Sequence, residues 1–160
     1  MISLIWAQTQ KGVIGNKNSL PWSIPEEMKH FRATTLNSDI LMGNKTFISM
    51  GQKPLPKRLN YVLSSNAKAL SVNNKDNLIY IDDISDLIKK YKNNPDNKLY
   101  VIGGSQIFNL FFDHADEIIR TIIKEDYEGD VYIENFNYNK LSKVKQIDYD
   151  EFYIEYFERD

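Results

Sequence analysis

The chain contains no cysteine, which excludes disulfides, thiolate metal sites and cysteine nucleophiles. Its two histidines, His30 and His114, are too few and too scattered for a metal cluster, so no metal is expected. Neither sign of charge dominates. A net charge of −2 gives no broad basic field for nucleic acid. No run approaches the ~20 apolar residues that a membrane span needs. Met1-Ile2-Ser3-Leu4-Ile5-Trp6 also lacks the basic start and small-residue cleavage site of a signal peptide. The expectation is a soluble, cytoplasmic protein with no nucleic-acid or membrane partner. Missing too are the dinucleotide fingerprint G-x-G-x-x-G, the phosphate loop G-x-x-x-x-G-K-[ST] and the elbow G-x-S-x-G. Those absences disfavour ordinary dinucleotide-fold dehydrogenases, phosphate-loop NTPases and serine hydrolases.

What is present is a chain of 160 residues rich in aromatics, with ten Tyr and eight Phe. At that size a single domain over residues 1–160 buries roughly 70% of the surface its unfolded chain exposes. Apolar runs at Ile2–Gln8, Asp39–Gly43, Asn60–Leu63, Leu78–Ile81 and Leu99–Ile102 read as strands. Between them Asn44–Met50, Ser85–Tyr91 and Ser105–Phe112 read as helices. The segment before Asn77 is polar and reads as irregular. From Glu117 onward come a strand at Ile118–Ile123, a turn at Glu128-Gly129-Asp130, a short run at Val131–Ile133, and a hairpin from Lys143–Ile147 and Phe152–Phe157. Alternating strands and helices predict an α/β domain: a central, mostly parallel sheet with helices on both faces and an antiparallel C-terminal strand.

The most informative stretch is Val13–Phe31. Val13 to Ser19 is small, polar and broken by Gly15, which predicts a mobile loop. Leu20-Pro21-Trp22 stiffens the chain. Ser23 and Glu26 have capping-box spacing, and Pro25 suits a first helical turn. On a helical wheel Ile24, Met28, Phe31 and Thr35 share one face, and Glu27 falls toward it rather than toward solvent. A first-turn carboxylate also complements the helix dipole, and on the helix alone that plainer reading is favoured. The Gly-containing loop and the Leu-Pro-Trp corner leading into Glu27 favour a site, because a loop can cover it and an indole can hold water beside an acid.

Two strand–Gly–helix junctions stand out, Met42-Gly43-Asn44-Lys45-Thr46 and Ile102-Gly103-Gly104-Ser105-Gln106. Backbone N–H groups at such junctions favour phosphate, and ligands of open α/β sheets bind beyond the carboxyl ends of the strands. Each glycine alone can simply make a tight turn. Two junctions, with Ser64-Ser65-Asn66 after a third strand, point to an extended phosphate-bearing ligand.

Along nearly its whole length the chain resembles the bacterial dihydrofolate reductases. The resemblance is carried by Ile14-Gly15, Leu20-Pro21-Trp22, Pro25-Glu26-Glu27, Phe31, Thr35 and the first Gly junction. It continues through Pro54-Leu55-Pro56-Lys57-Arg58, Leu63-Ser64-Ser65, Val101 to Phe108, Thr121 and Glu128-Gly129-Asp130. It implies an eight-stranded sheet and NADPH-dependent reduction of dihydrofolate to tetrahydrofolate, with hydride delivered to C6 and a proton to N5. Glu27 matches the family's active-site acid, with Trp22, Leu20 and Thr121 as its catalytic companions. Ile5, Trp6, Ala7, Met28 and Ile102 would border the pterin. Phe31, Ser49, Met50 and Leu55 would line the p-aminobenzoyl channel, and Arg58 would fork onto the glutamate α-carboxylate. Without the resemblance, Thr121 reads as a β-branched strand residue and Arg58 as a surface charge.

For the cofactor the resemblance implies Ala7, Ile14, Gly15, Ser19 and Leu20 near the nicotinamide, together with Ile102. The pyrophosphate cradle comprises Gly43, Asn44, Lys45 and Thr46 with Gly103, Gly104, Ser105, Gln106, Ile107 and Phe108. Leu63, Ser64, Ser65 and Asn66 fall on the adenosine side. Asn44 and Gln106 stand where many members carry Arg, Ser105 replaces a third Gly, and Phe47 stands where Trp is common. The implied partners are dihydrofolate and antifolate inhibitors, and the implied state is a monomer. Competing readings are a reductase of another pterin or of a ribosylated pyrimidine, or a non-catalytic nucleotide- or flavin-binding protein. The first need not keep Glu27 and Arg58, and the second has no use for a buried acid beside a lid.

Overall fold

The strand Ile2–Thr9 (β1) is apolar on both faces, and the sheet is assembled around it. A computed structural model describes residues 1–160 and shows eight strands in one sheet. Besides β1 they are Asp39–Gly43 (β3), Leu59–Leu63 (β4), Leu78–Ile81 (β5), Leu99–Val101 (β6), Glu117–Ile123 (β7), Leu141–Asp148 (β9) and Phe152–Arg159 (β10). Two further short strands, Val13–Gly15 (β2) and Val131–Tyr132 (β8), pair with each other outside it. The order across the large sheet is β5-β4-β3-β6-β1-β7-β10-β9. Every pairing is parallel except β10 with β7 and β10 with β9. Only β10 therefore runs against the others, as a sheet closed by a C-terminal hairpin requires.

Side-chain alternation divides the core into two layers. Ile2, Leu4 and Trp6 of β1 join Leu41, Tyr61, Leu99, Val101 and Ile118 on one face. The helices Ser85–Tyr91 (α4) and Ser105–Phe111 (α5) cover that face through Leu87, Tyr91, Phe108 and Phe111. Ile5 joins Ile40, Met42, Val62, Tyr100, Ile119 and Ile154 on the other. There the cover comes from the helices Pro25–Thr35 (α1), Asn44–Ser49 (α2) and Ala67–Leu70 (α3), through Ile24, Phe47 and Ala67. Strands buried on both faces lose their polar alternation, which is why β1 and β3 read as continuous apolar runs.

Four local expectations are corrected. Val13–Ser19 is not an irregular loop: β2 pairs with β8, and Asn16 and Ser19 close a two-residue turn with Lys17 and Asn18 at φ of 50° and 66°. Positive φ at both central positions is the turn that matches strand twist, and Asn tolerates it. The helix α1 has Ile24, not Ser23, at its N-cap and no side-chain cap. Pro25 as first helical residue moves the start one position along, so Ser23 and Glu26 lose their capping register. The buried stripe of α1 runs through Glu27 and Thr35, while Met28 stays 49% exposed. Finally, the polar segment before Asn77 contains α3 and a 3₁₀ turn at Ser71–Asn73.

Glu128–Asp130 packs the chain that leads into β8 against β2. A Cβ on Gly129 would lie 2.3 Å from Val13 Cγ1 and 2.5 Å from the Gly15 carbonyl oxygen. Asp130 N donates to Gly15 O at 3.1 Å, and Lys17 N donates to the Asp130 carboxylate at 3.2 and 3.3 Å. Gly129→Ala should therefore push the two segments apart. We expect a loss of about 1–3 kcal/mol in urea unfolding, typical of overpacking, together with faster hydrogen exchange at Asp130 and Lys17. Unchanged stability and exchange would contradict this close packing.

Candidate active site

The carboxyl ends of β1, β3, β4 and β6 lie along one edge of the sheet, and the expected site residues gather there and beneath α1. Glu27 sits in the first turn of α1, its N–H donating to Ile24 O at 3.1 Å. Its side chain is 7% exposed and forms no ion pair. Burial pushes the carboxyl above its ordinary range, and the nearby Trp22 indole only partly opposes that shift. Trp22 is itself buried, with its ring 5.9 Å from Tyr127. Its Nε1 has no partner in direct hydrogen-bond geometry. A buried acid and a buried N–H without direct partners are polar groups available to a ligand or a water.

Thr121 is 1% exposed on β7, where its register pairs it with Ala7 of β1 and Ile154 of β10. Alternation with Ile119 and Ile123 puts it on the α1 face, which is also that of Ile5 and Ala7. Trp6 faces the other way. Its ring packs 5.2 Å from Phe108 and its Nε1 donates to Gln8 Oε1 at 2.9 Å. Trp6 thus presents only its backbone toward the α1 side, because neighbouring strand residues point to opposite faces. Leu20 and Met28 are each about half exposed, at 51% and 49%. Phe31, Met50 and Leu55 are half-buried against the α1-side core, and Ser49 is exposed with its hydroxyl donating to Thr46 O at 2.6 Å.

Arg58 is buried, not a surface charge. Its Nε donates to Thr35 Oγ1 at 3.0 Å, and its terminal nitrogens donate to Pro56 O at 2.9 Å and Arg32 O at 3.3 Å. Burial, and then the charge of Arg32, lower its pKa, but a guanidinium remains a cation at neutral pH. Thr35 and Asn60 are positioning residues that the sequence reading missed. Asn60 is fully buried and its side chain clamps the turn: Leu55 N donates to Oδ1 at 2.9 Å, while Nδ2 faces the carbonyls of Leu55, Arg58 and Asn77 at 3.0–3.1 Å. An amide inside an otherwise apolar parallel strand was the available signal.

The two Gly junctions meet. Gly43 N donates to Gly103 O at 2.9 Å, and Ile102 N donates to Leu41 O at 2.9 Å. A Cβ on Gly43 would stand 2.9 Å from Ile107 Cγ1, so only glycine brings the end of β3 this close to α5. Asn44, Thr46, Gly104 and Ser105 are partly exposed around the junction, and Asn44 Oδ1 is buried without a partner. Phe108 is 2% exposed and belongs to the core, so it supports the cradle from behind rather than lining it. Ser64 and Asn66 continue the same edge, Asn66 N donating to Ser64 Oγ at 3.1 Å.

A raised Glu27 pKa has a stability consequence. The folded carboxyl holds its proton more tightly than the unfolded one, so its contribution is fully present below about pH 4.5 and is lost as pH rises through the folded value. Glu27→Gln should therefore melt higher than the wild type at pH 8, and the gap should shrink on acidification to pH 4. A gap that is absent at pH 8, or that grows in acid, would contradict the burial of an unpaired carboxylate.

The geometry agrees with comparisons to known proteins. A family model described as dihydrofolate reductase matches residues 1–157. The dihydrofolate reductase of Ureaplasma parvum is 36% identical over 157 residues, covering 98% of this chain and 96% of that protein. That of Mycoplasma genitalium is 34% identical over 159 residues, with 99% and 98% covered. Among solved structures, dihydrofolate reductase from Enterococcus faecalis, complexed with NADP(H) and RAB-propyl, superposes with a TM-score of 0.86 at 28% identity. It covers all of this chain and 96% of that one. With a buried acid on α1, paired Gly junctions and matches across nearly its whole length, this chain belongs to the dihydrofolate reductase family.

Proposed function

We propose that the protein reduces 7,8-dihydrofolate to 5,6,7,8-tetrahydrofolate with NADPH as hydride donor. The observation that carries this reading is Glu27: a single unpaired carboxyl, buried on α1 beside an unpartnered indole N–H. A carboxylate there can take a two-pronged hydrogen bond from a 2-amino group and a ring N–H of the pterin. Its raised pKa brings it closer to working pH, where a group can both hold and release a proton. In this reading Glu27 orients the pterin and assists proton delivery to N5, Trp22 holds the water beside it, and Thr121 orients the carboxyl or the pterin edge.

The residues present fit NADPH. At the paired junctions a Cβ on Gly104 would meet only Thr46 Oγ1 at 3.5 Å, which leaves room for a pyrophosphate to approach the main chain where α2 and α5 begin. Bound NADPH would supply the hydride. Ala7 and Ile102 would position its nicotinamide, and Leu20 would close over nicotinamide and pterin to exclude water. The half-exposed apolar surfaces of Leu20 and Met28 support a role in which a ligand covers them. Arg58, held on three sides, would present its remaining N–H groups to the glutamate tail with little orientational entropy to lose. Phe31, Met50 and Leu55 would flank the intervening aromatic ring. We take the working form to be a cytoplasmic monomer. No helix is long and apolar enough to cross a membrane.

Loss of absorbance at the reduced-nicotinamide band, with NADPH and dihydrofolate, tests the reading. Substrate-dependent oxidation is expected, and Glu27→Gln should lower kcat near neutral pH by about 10²–10⁴ while NADPH still binds. NADPH binding without turnover of dihydrofolate would favour a different substrate on the same fold. Arg58→Lys keeps the charge and loses the fork. It should raise the KM for dihydrofolate by about ten- to a hundredfold, the range for a charge-assisted hydrogen bond, with a smaller effect on kcat. An unchanged KM would remove Arg58 from the substrate site.

A further inference from the structure

The two tryptophans of the chain are held in different ways. Trp6 is pinned by a hydrogen bond, its Nε1 donating to Gln8 Oε1 at 2.9 Å, and by the rings of Phe108 and Phe136 at 5.2 and 6.1 Å. Trp22 is buried as deeply, yet its Nε1 has no partner in the protein. With no hydrogen bond to set the angle of the ring, the direction of that N–H is left to side-chain packing. One aromatic ring pairs with it: Tyr127, at 5.9 Å and an interplanar angle of 60°.

Tyr127 lies far along the chain, between β7 and β8, in a segment fixed on both sides. Before it Lys124 N donates to Glu151 O at 3.0 Å, and after it Asp130 N donates to Gly15 O at 3.1 Å. Its ring is partly buried against the core layer that holds Trp22 and Ile24. Its hydroxyl donates to Glu125 Oε2 at 3.3 Å near the surface, so the ring and not the hydroxyl meets the indole. A cleft of about 190 Å³ opens beside it, between Ile24, Ile123, Asp150 and Glu151. Tyr127 lines that cleft and Trp22 does not, so truncating the tyrosine would extend the open space toward the indole.

We propose that Tyr127 is a positioning residue for the reaction: its ring holds the Trp22 indole at the angle from which Nε1 serves the water beside Glu27. The proposal rests on the function given above, in which Trp22 holds that water. An aromatic pair of this kind is worth about two- to tenfold in the balance between ring orientations. The test is nitrogen–proton NMR of the two indole N–H groups, assigned with Trp22→Phe, alongside steady-state kinetics with NADPH and dihydrofolate. Tyr127→Ala should shift the Trp22 signal and speed its exchange with solvent, while the Trp6 signal stays as it is. It should also lower kcat by about two- to tenfold and leave the KM for NADPH unchanged. Tyr127→Phe keeps the ring and should restore both readings. Should the alanine variant fail to fold, Tyr127→Leu, which keeps apolar bulk without a ring, should move both readings in the same direction. Tyr149→Ala is the control, since it removes a ring stacked on Phe152 in the same core layer but paired with no tryptophan, and it should leave kcat as it is. A Trp22 signal indifferent to the loss of the ring would overturn the inference, as would a kcat that holds although the indole has moved. So would a Phe variant as impaired as the alanine one, or an equal fall in kcat in Tyr149→Ala. A wild type inactive on dihydrofolate would overturn the function instead, and the two failures appear in different measurements.

Discussion

Burial of one carboxyl without a cation is the constraint on which the rest of this structure depends. Glu27 loses hydration in the folded state and receives no ion pair in return. A chain optimised only for stability would fill that position with an apolar residue. The cost is tolerated because α1 is held by other contacts: Ile24 and Trp22 in the core at its start, and Thr35 at its end, where Arg58 ties it to the turn before β4. The helix can therefore carry an uncompensated acid at one end while its other end orients a cation. That pairing of an acid and an arginine along one helix suits a ligand with a hydrogen-bonding head and an anionic tail.

The sheet supplies the second axis. Parallel strands end together, and each strand-to-helix passage leaves backbone donors at the same edge. Here the ends of β3 and β6 are joined by Gly43 N donating to Gly103 O, with Ile107 against the glycine that a side chain would displace. In the function proposed above, these paired junctions and the acid would hold a hydride donor and an acceptor face to face across that edge. The strand β2 is a separate small layer, latched to β8 through Gly129 and Asp130. It stands apart from the main sheet and leads, through the turn at Asn16–Ser19, to the half-exposed Leu20.

Much of this was legible because it depends on local pattern. The apolar runs of β1, β3 and β6 identified buried strands, and the helical wheel turned Glu27 inward before any tertiary contact was known. What was not legible depends on distant partners. Val13–Gly15 looked like a loop because its pairing strand lies more than a hundred residues away, as the register of Gly15 with Val131 shows. The spacing of Ser23 and Glu26 suits a capping box, but Pro25 sets the helix start and makes Ile24 the N-cap. Met28 was placed inward and is half exposed, since Glu27 and Thr35 take the buried stripe. Pattern alone makes Arg58 a surface charge and only the family resemblance marks it for a site, because its acceptors, Thr35 Oγ1 and the carbonyls of Pro56 and Arg32, come together in the fold.

The most direct test of the central claim is the titration of the Glu27 carboxyl itself, followed by carbon NMR in the ligand-free protein with Glu27→Gln to assign the signal. The account predicts a midpoint above the ordinary value of 4.5, displaced by burial. A midpoint at or below the ordinary value would mean that the carboxyl is solvated or paired, and would contradict the account.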